Sequence, residues 1–171
     1  MTGDNATTAR NRQGSAVITL PSDTEILITR TFDAPADLVF QAYTTPELVK
    51  RWWGFDTSDW VACDIDLRVG GTWRFVTREE DGMEVGFHGE YREIDRPHRL
   101  VSTEAYEGVP DPDAGAGLNT LTLVETDGVT TLSLLCQYPD KEIRDAVVAS
   151  GMESGLQISF NRLEELVGEL H

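Results

Sequence analysis

Three histidines, two cysteines and one pair of closely spaced aspartates are the side chains of this 171-residue sequence whose types and spacing suggest more than packing. His88 is the best placed for acid-base work, because an imidazole titrates near neutral pH and Gly86 and Gly89 flank it. Strand parity sets His88 with Glu84, Glu90 and Arg92, opposite Val85, Phe87 and Tyr91, which predicts a solvated surface position. A β-bulge at the two glycines would reverse that parity and turn the ring inward. His98 follows Pro97 in a turn and His171 is terminal, so neither is assigned a role. Asp64 and Asp66 flank Ile65 on one strand face and read as an exposed acidic stripe. Cys63 and Cys136 lie far apart with no CxxC spacing and no adjacent histidine, so they are expected to be buried free thiols rather than a zinc site or a redox pair. Gly151-Met-Glu-Ser-Gly155 has the wrong spacing for a nucleophile elbow, and Gly70-Gly71 matches neither a phosphate loop nor a dinucleotide fingerprint. No cofactor and no metal is implied.

Aromatic residues are the stronger signal. Trp52, Trp53, Trp60, Trp73, Phe75, Phe87 and Tyr91 fall in the middle of the chain, and such residues supply either core packing or the walls of an apolar ligand pocket. Both readings stand at this level.

Thr24 to Phe32 alternates like a half-buried strand, and APADLVFQAY, with Pro35 in its first turn, predicts a short helix. Glu47 to Trp53 predicts a second helix closed by Gly54. The period then changes to two, giving strands near Ser58–Leu67, Thr72–Glu79, Met83–Asp95, Arg99–Glu107, Leu118–Thr126 and Val129–Tyr138, seven in all with the first. There is little room for crossover helices, which predicts an antiparallel sheet. Asp81-Gly82 and Asp127-Gly128 carry the signature of type I′ hairpins, in which both central residues need positive φ. From Pro139 to the end, apolar residues from Ile143 to Leu170 recur every three to five positions, predicting one long amphipathic helix that Gly151 and Gly155 weaken. Tyr106–Leu118, rich in Gly, Pro and Asp, reads as a mobile surface loop or a lid.

The length suits one domain, assigned to residues 16–171, with residues 1–15 too polar and aperiodic to be expected to order. Thirty acidic against 14 basic residues give a net charge of −16, which argues against nucleic acid as a partner. With arginine outnumbering lysine, that surplus fits a halophilic host or a biased coding composition equally. No apolar run approaches the ~20 residues of a membrane span and the N-terminus lacks a secretion signal, so a cytoplasmic location is expected.

Phe32-Asp-Ala-Pro35, Thr45-Pro-Glu47 leading to Trp52-Trp53, Asp66-Leu-Arg-Val-Gly-Gly71 and Gly89-Glu-Tyr-Arg-Glu-Ile94 together resemble the SRPBCC (START-like) superfamily. They are similar in particular to bacterial homologues of the C-terminal domain of the activator of heat-shock-protein-90 ATPase, over roughly Thr24 to Val167. The resemblance implies an α+β helix-grip fold, a curved antiparallel sheet wrapped around the C-terminal helix with a cavity for an apolar ligand. Trp52, Trp53, Trp73, Phe75, Phe87, Tyr91, Met152 and Leu156 would line it. The family usually has Trp where this chain has Met152, which implies a roomier or more adaptable pocket. The first functional expectation is therefore binding of a small hydrophobic or aromatic molecule. A polyketide cyclase or hydrolase using His88 or Tyr91 is the second. A co-chaperone is the third and ranks last, since the eukaryotic activators carry an additional N-terminal domain for which the tail here is too short. A homodimer is left open.

Overall fold

The computed structural model describes residues 16–54 and 59–171. The segment expected to be a disordered tail, residues 1–15, lies outside the described residues, as does Ser58 at the start of the second expected strand. Eight strands form one antiparallel sheet: β1 (Val17–Thr19), β2 (Glu25–Phe32), β3 (Asp59–Ile65), β4 (Thr72–Arg78), β5 (Glu84–Asp95), β6 (Arg99–Tyr106), β7 (Gly117–Thr126) and β8 (Val129–Gln137), in the spatial order β1-β2-β8-β7-β6-β5-β4-β3. Seven strands were expected. The extra one, β1, is a three-residue edge that pairs with Leu27–Thr29 and is too short to show alternation in sequence.

Helices α1 (Ala36–Thr44) and α2 (Pro46–Trp52) lie between β2 and β3. Pro35, expected in the first turn, stands at the N-cap of α1, and Pro46 begins α2 one residue before the expected Glu47; the N-terminus of α1 is capped from afar, where the Ala36 N–H donates to a Glu125 carboxylate oxygen on β7 at 2.7 Å. The single long C-terminal helix is corrected to two, α3 (Lys141–Ala149) and α4 (Met152–Leu170). Gly151, at φ +83°, is the reason, since a left-handed residue ends the hydrogen-bond ladder while leaving the apolar spacing intact. Gly155 continues the helix.

Of the two hairpin signals, Asp127-Gly128 has φ of 52° and 78° and forms the expected turn. At Asp81-Gly82 only Gly82 has positive φ, and the Glu79 N–H reaches the Met83 carbonyl across a longer loop.

One face of the sheet and the helices enclose the core. Ile26, Ile28 and Phe32 of β2, Leu121 and Leu123 of β7 and Leu132 of β8 meet Val39 and Phe40 of α1 and Phe160, Leu163 and Val167 of α4, all at 3% exposure or less. No helix among the described residues is long and apolar enough to cross a membrane.

Candidate functional site: the concave face

The C-terminal half of α4 is sealed, with Phe160, Leu163, Leu166 and Val167 buried, whereas Met152 and Leu156 in its first two turns stay half-buried. Half-buried against the same core is a lattice of rings. Trp53, at the end of α2, lies 5.3 Å from Phe75, 5.6 Å from Phe87 and 5.6 Å from Trp60 between ring centroids. Trp73 stacks on Phe75 at 4.8 Å, and Phe87 continues to the exposed Tyr106 at 5.3 Å. The register explains the grouping, because Trp73 pairs with Gly89 and Phe75 with Phe87, which puts their side chains on one face. Tyr91 is buried in the same row. Trp52 belongs to the sealed end: its indole N–H donates to the Ala42 carbonyl at 2.8 Å and its ring packs on Tyr43 and Phe160.

A polar niche interrupts this face. Sequence parity sets Val101, Thr103 and Ala105 inward and Ser102 and Glu104 outward; the structure reverses both sets. The β5–β6 register shifts between Tyr91 and Glu93, and beyond the shift Leu100 pairs with Leu121 of the core, so Leu100, Ser102 and Glu104 share the concave face. Glu104 stands between two glycines, Gly117 paired with it on β7 and Gly89 opposite on β5. Aromatic rings take the space those glycines leave: a Cβ on Gly89 would meet Trp73 Nε1 at 2.5 Å, and one on Gly117 would meet the Tyr138 ring at 3.0 Å. Asn119 Nδ2 donates to Glu104 Oε2 at 2.7 Å, while Asn119 Oδ1 is buried without a partner among the described residues. Burial pushes the Glu104 carboxyl above its ordinary range despite that hydrogen bond. Tyr43, Tyr138 and Cys136 surround it closely enough to feel its charge, and burial raises all three, the Cys136 thiol to about 12. Cys63, half-buried rather than buried as expected, is raised to about 11 by the same cause, so neither free thiol is an activated nucleophile.

His88 lies on the convex face, as parity predicts, because the shift in β5 falls after Tyr91 and not at Gly86 or Gly89. Its Nδ1 is 2.8 Å from Glu107 and its Nε2 2.8 Å from Asp113, and Arg74 grips the same Glu107 carboxylate with two hydrogen bonds. Asp113 opens the 3-10 turn Asp113–Gly115, so His88 ties the loop that follows β6 to the outside of the sheet. Arg74, followed by His88, holds the Glu107 carboxyl down at about 2. Two carboxylate partners require both ring nitrogens to carry protons, and the hydrogen bonds the ring donates to Asp113 and Glu107 raise the His88 pKa. The resulting stabilisation is fully present below the unfolded pKa near 6.5 and is lost as pH rises through the higher folded value. Amide exchange across residues 107–116 should therefore accelerate from pH 6 to pH 9 beyond the intrinsic rate, and His88→Asn should flatten that dependence. Identical profiles in the two proteins would dismiss the clamp.

Two surface concavities lie elsewhere. One of about 360 Å³ runs between α2 and α4 past Arg51, Arg162 and Glu169, and one of about 220 Å³ lies on the convex face at Arg74, Val76 and Gly108. Neither reaches the ring lattice, so the case for the concave face rests on its half-buried rings and its polar niche. Asp64 and Asp66 are exposed, Asp66 pairing with Arg68 at 2.8 Å. Among the described residues no group of three or more His, Cys, Asp or Glu is placed to hold a metal ion.

A curved antiparallel sheet closed over a C-terminal helix, with two short helices after its second strand, defines a helix-grip protein of the SRPBCC type. The chain belongs to the family described as activator of Hsp90 ATPase homolog 1-like protein, whose model matches residues 33–168. A solved Rhodobacter sphaeroides protein is similar at 28% identity with a TM-score of 0.82, covering 91% of this chain and 99% of that one. A Mycobacterium smegmatis protein is similar at 25% identity and a TM-score of 0.78, covering 88% and 96%. A Nitrosomonas europaea protein at 23% identity, TM-score 0.77, with 88% and 98% covered, shares the fold. No curated protein sequence matches the chain significantly.

Proposed function

We propose that the protein binds a small hydrophobic or aromatic molecule between β3–β6 and the first two turns of α4. The observation that carries this is the uneven seal of α4: Leu163, Leu166 and Val167 of its second half are buried, while Met152 and Leu156 stay half-buried at the edge of the core, as do Trp53 and Phe87. A family whose fold generally holds ligands supports the reading. Trp53, Trp73, Phe75, Phe87, Tyr91, Met152 and Leu156 would line the site, and Trp52 would brace it from behind. Catalysis by His88 is disfavoured, because its ring is engaged with two carboxylates on the opposite face.

A thermal-shift screen against steroids, fatty acids, flavonoids and aromatic polyketides tests the reading. A ligand at a hundredfold excess over Kd stabilises the native state by about 2.7 kcal/mol. Phe87→Glu should weaken the best compound by more than about tenfold, roughly 1.4 kcal/mol, by placing a charge among the rings. Unchanged binding by the folded variant would remove Phe87 from the site, and the absence of any saturable shift would overturn the proposal.

A further inference from the structure

We infer that Glu104 and Asn119 form the polar end of this site and select ligands that carry a hydrogen-bond-donating head, a hydroxyl or an ammonium group, on an apolar body. The inference rests on the binding reading above and deepens it. Glu104 is half-buried, so part of its surface stays accessible on the concave face. The niche has the form of a built site. The flanking glycines add no side chain to it: Gly89 lets the β6 backbone and the Trp73 ring close in, and Gly117 lets the Tyr138 ring do so.

The hydrogen-bond inventory sets the chemistry. Asn119 has spent an N–H on Glu104 Oε2, and Asn119 Oδ1 is left as a buried acceptor without a donor among the described residues. Glu104 has a second carboxyl oxygen to offer, and among the described residues no Arg or Lys pairs with it. Among the described residues the Asn119 amide supplies the pair's one hydrogen bond, although the Tyr43 and Tyr138 hydroxyls are near, and buried acceptors are ordinarily satisfied. A hydroxyl or ammonium would supply a donor, with aromatic faces around it that also suit a cation. Trp73 gives its own N–H to the Thr103 carbonyl at 3.2 Å and cannot serve.

Calorimetric titration with 2-naphthol, 2-(aminomethyl)naphthalene and 2-methoxynaphthalene separates the possibilities, since the three share a ring system and only the first two have a donor. At least one donor probe should bind tenfold or more tightly than the methoxy compound. Asn119→Leu and Glu104→Leu should abolish that preference while the methoxy compound, a check on the folded pocket, binds within threefold of wild type. Glu104→Gln keeps an acceptor, so it should preserve a preference for hydroxyl and erase one for ammonium. Equal affinity of all three probes for the wild-type protein, or a preference untouched in both leucine variants, would overturn the niche and leave the pocket standing. Failure of every probe to bind would overturn the pocket reading and this inference with it.

Discussion

Gly89→Ala should cost stability at the upper end of what overpacking does, about 3 kcal/mol. A Cβ there would sit 1.8 Å from the Thr103 carbonyl oxygen and 2.5 Å from Trp73 Nε1. The carbonyl belongs to the backbone of β6, so the clash is relieved only by separating β5 from β6 or by expelling the indole that hydrogen-bonds that same oxygen. Gly86 is the control. Its added Cβ would meet the end of the Glu107 side chain, nearest at 2.5 Å, which can move only by loosening its partly exposed contacts with Arg74 and His88, so Gly86→Ala should cost about 1 kcal/mol. Urea denaturation of the two variants checks the contrast. Equal midpoints for Gly89→Ala and wild type would mean that β5 and β6 are paired differently.

The second large effect concerns Arg30, a charge inside the core. Its side chain is 1% exposed and Nη2 meets Glu164 of α4 at 2.6 Å, while Nε and Nη1 have no hydrogen-bond partner among the described residues and the guanidinium lies 5.0 Å from the Phe32 ring centre. Desolvation lowers its pKa and Glu164 opposes that shift. Glu164→Leu would leave a buried cation uncompensated and should destabilise the fold by about 3 kcal/mol. Arg30→Met removes the charge together with its desolvation cost and should change stability by less than about 1 kcal/mol. The double variant should then resemble Arg30→Met alone. Strictly additive losses in the cycle would show that the two side chains do not depend on each other.

The aromatic half of the candidate site was legible because it depends on local alternation. Trp73 and Phe75 on one strand, and Phe87 and Tyr91 on the next, keep their parity through an unbroken β4–β5 register. Glu104 was not legible. Its facing depends on a one-residue shift at Arg92, where an extra residue on β5 changes which residues of β6 share a side with Tyr91. Gly86 and Gly89 were the natural places to expect such an irregularity, yet Gly89 is there to admit the Trp73 ring. The glycine signal was real, but packing and not a bulge accounts for it.

Residue order alone determined the succession of strand, two short helices, strands and C-terminal helical stretch, and the family that this succession and its motifs resemble. These follow from propensity, period and turn chemistry, which act between residues near in sequence. The helix break at Gly151, the eighth strand and the pairing of Glu104 with Asn119 were decided by the tertiary structure. A backbone φ, a three-residue edge and a contact between neighbouring strands gain their energy from groups brought together only when the chain closes, and local pattern does not report them.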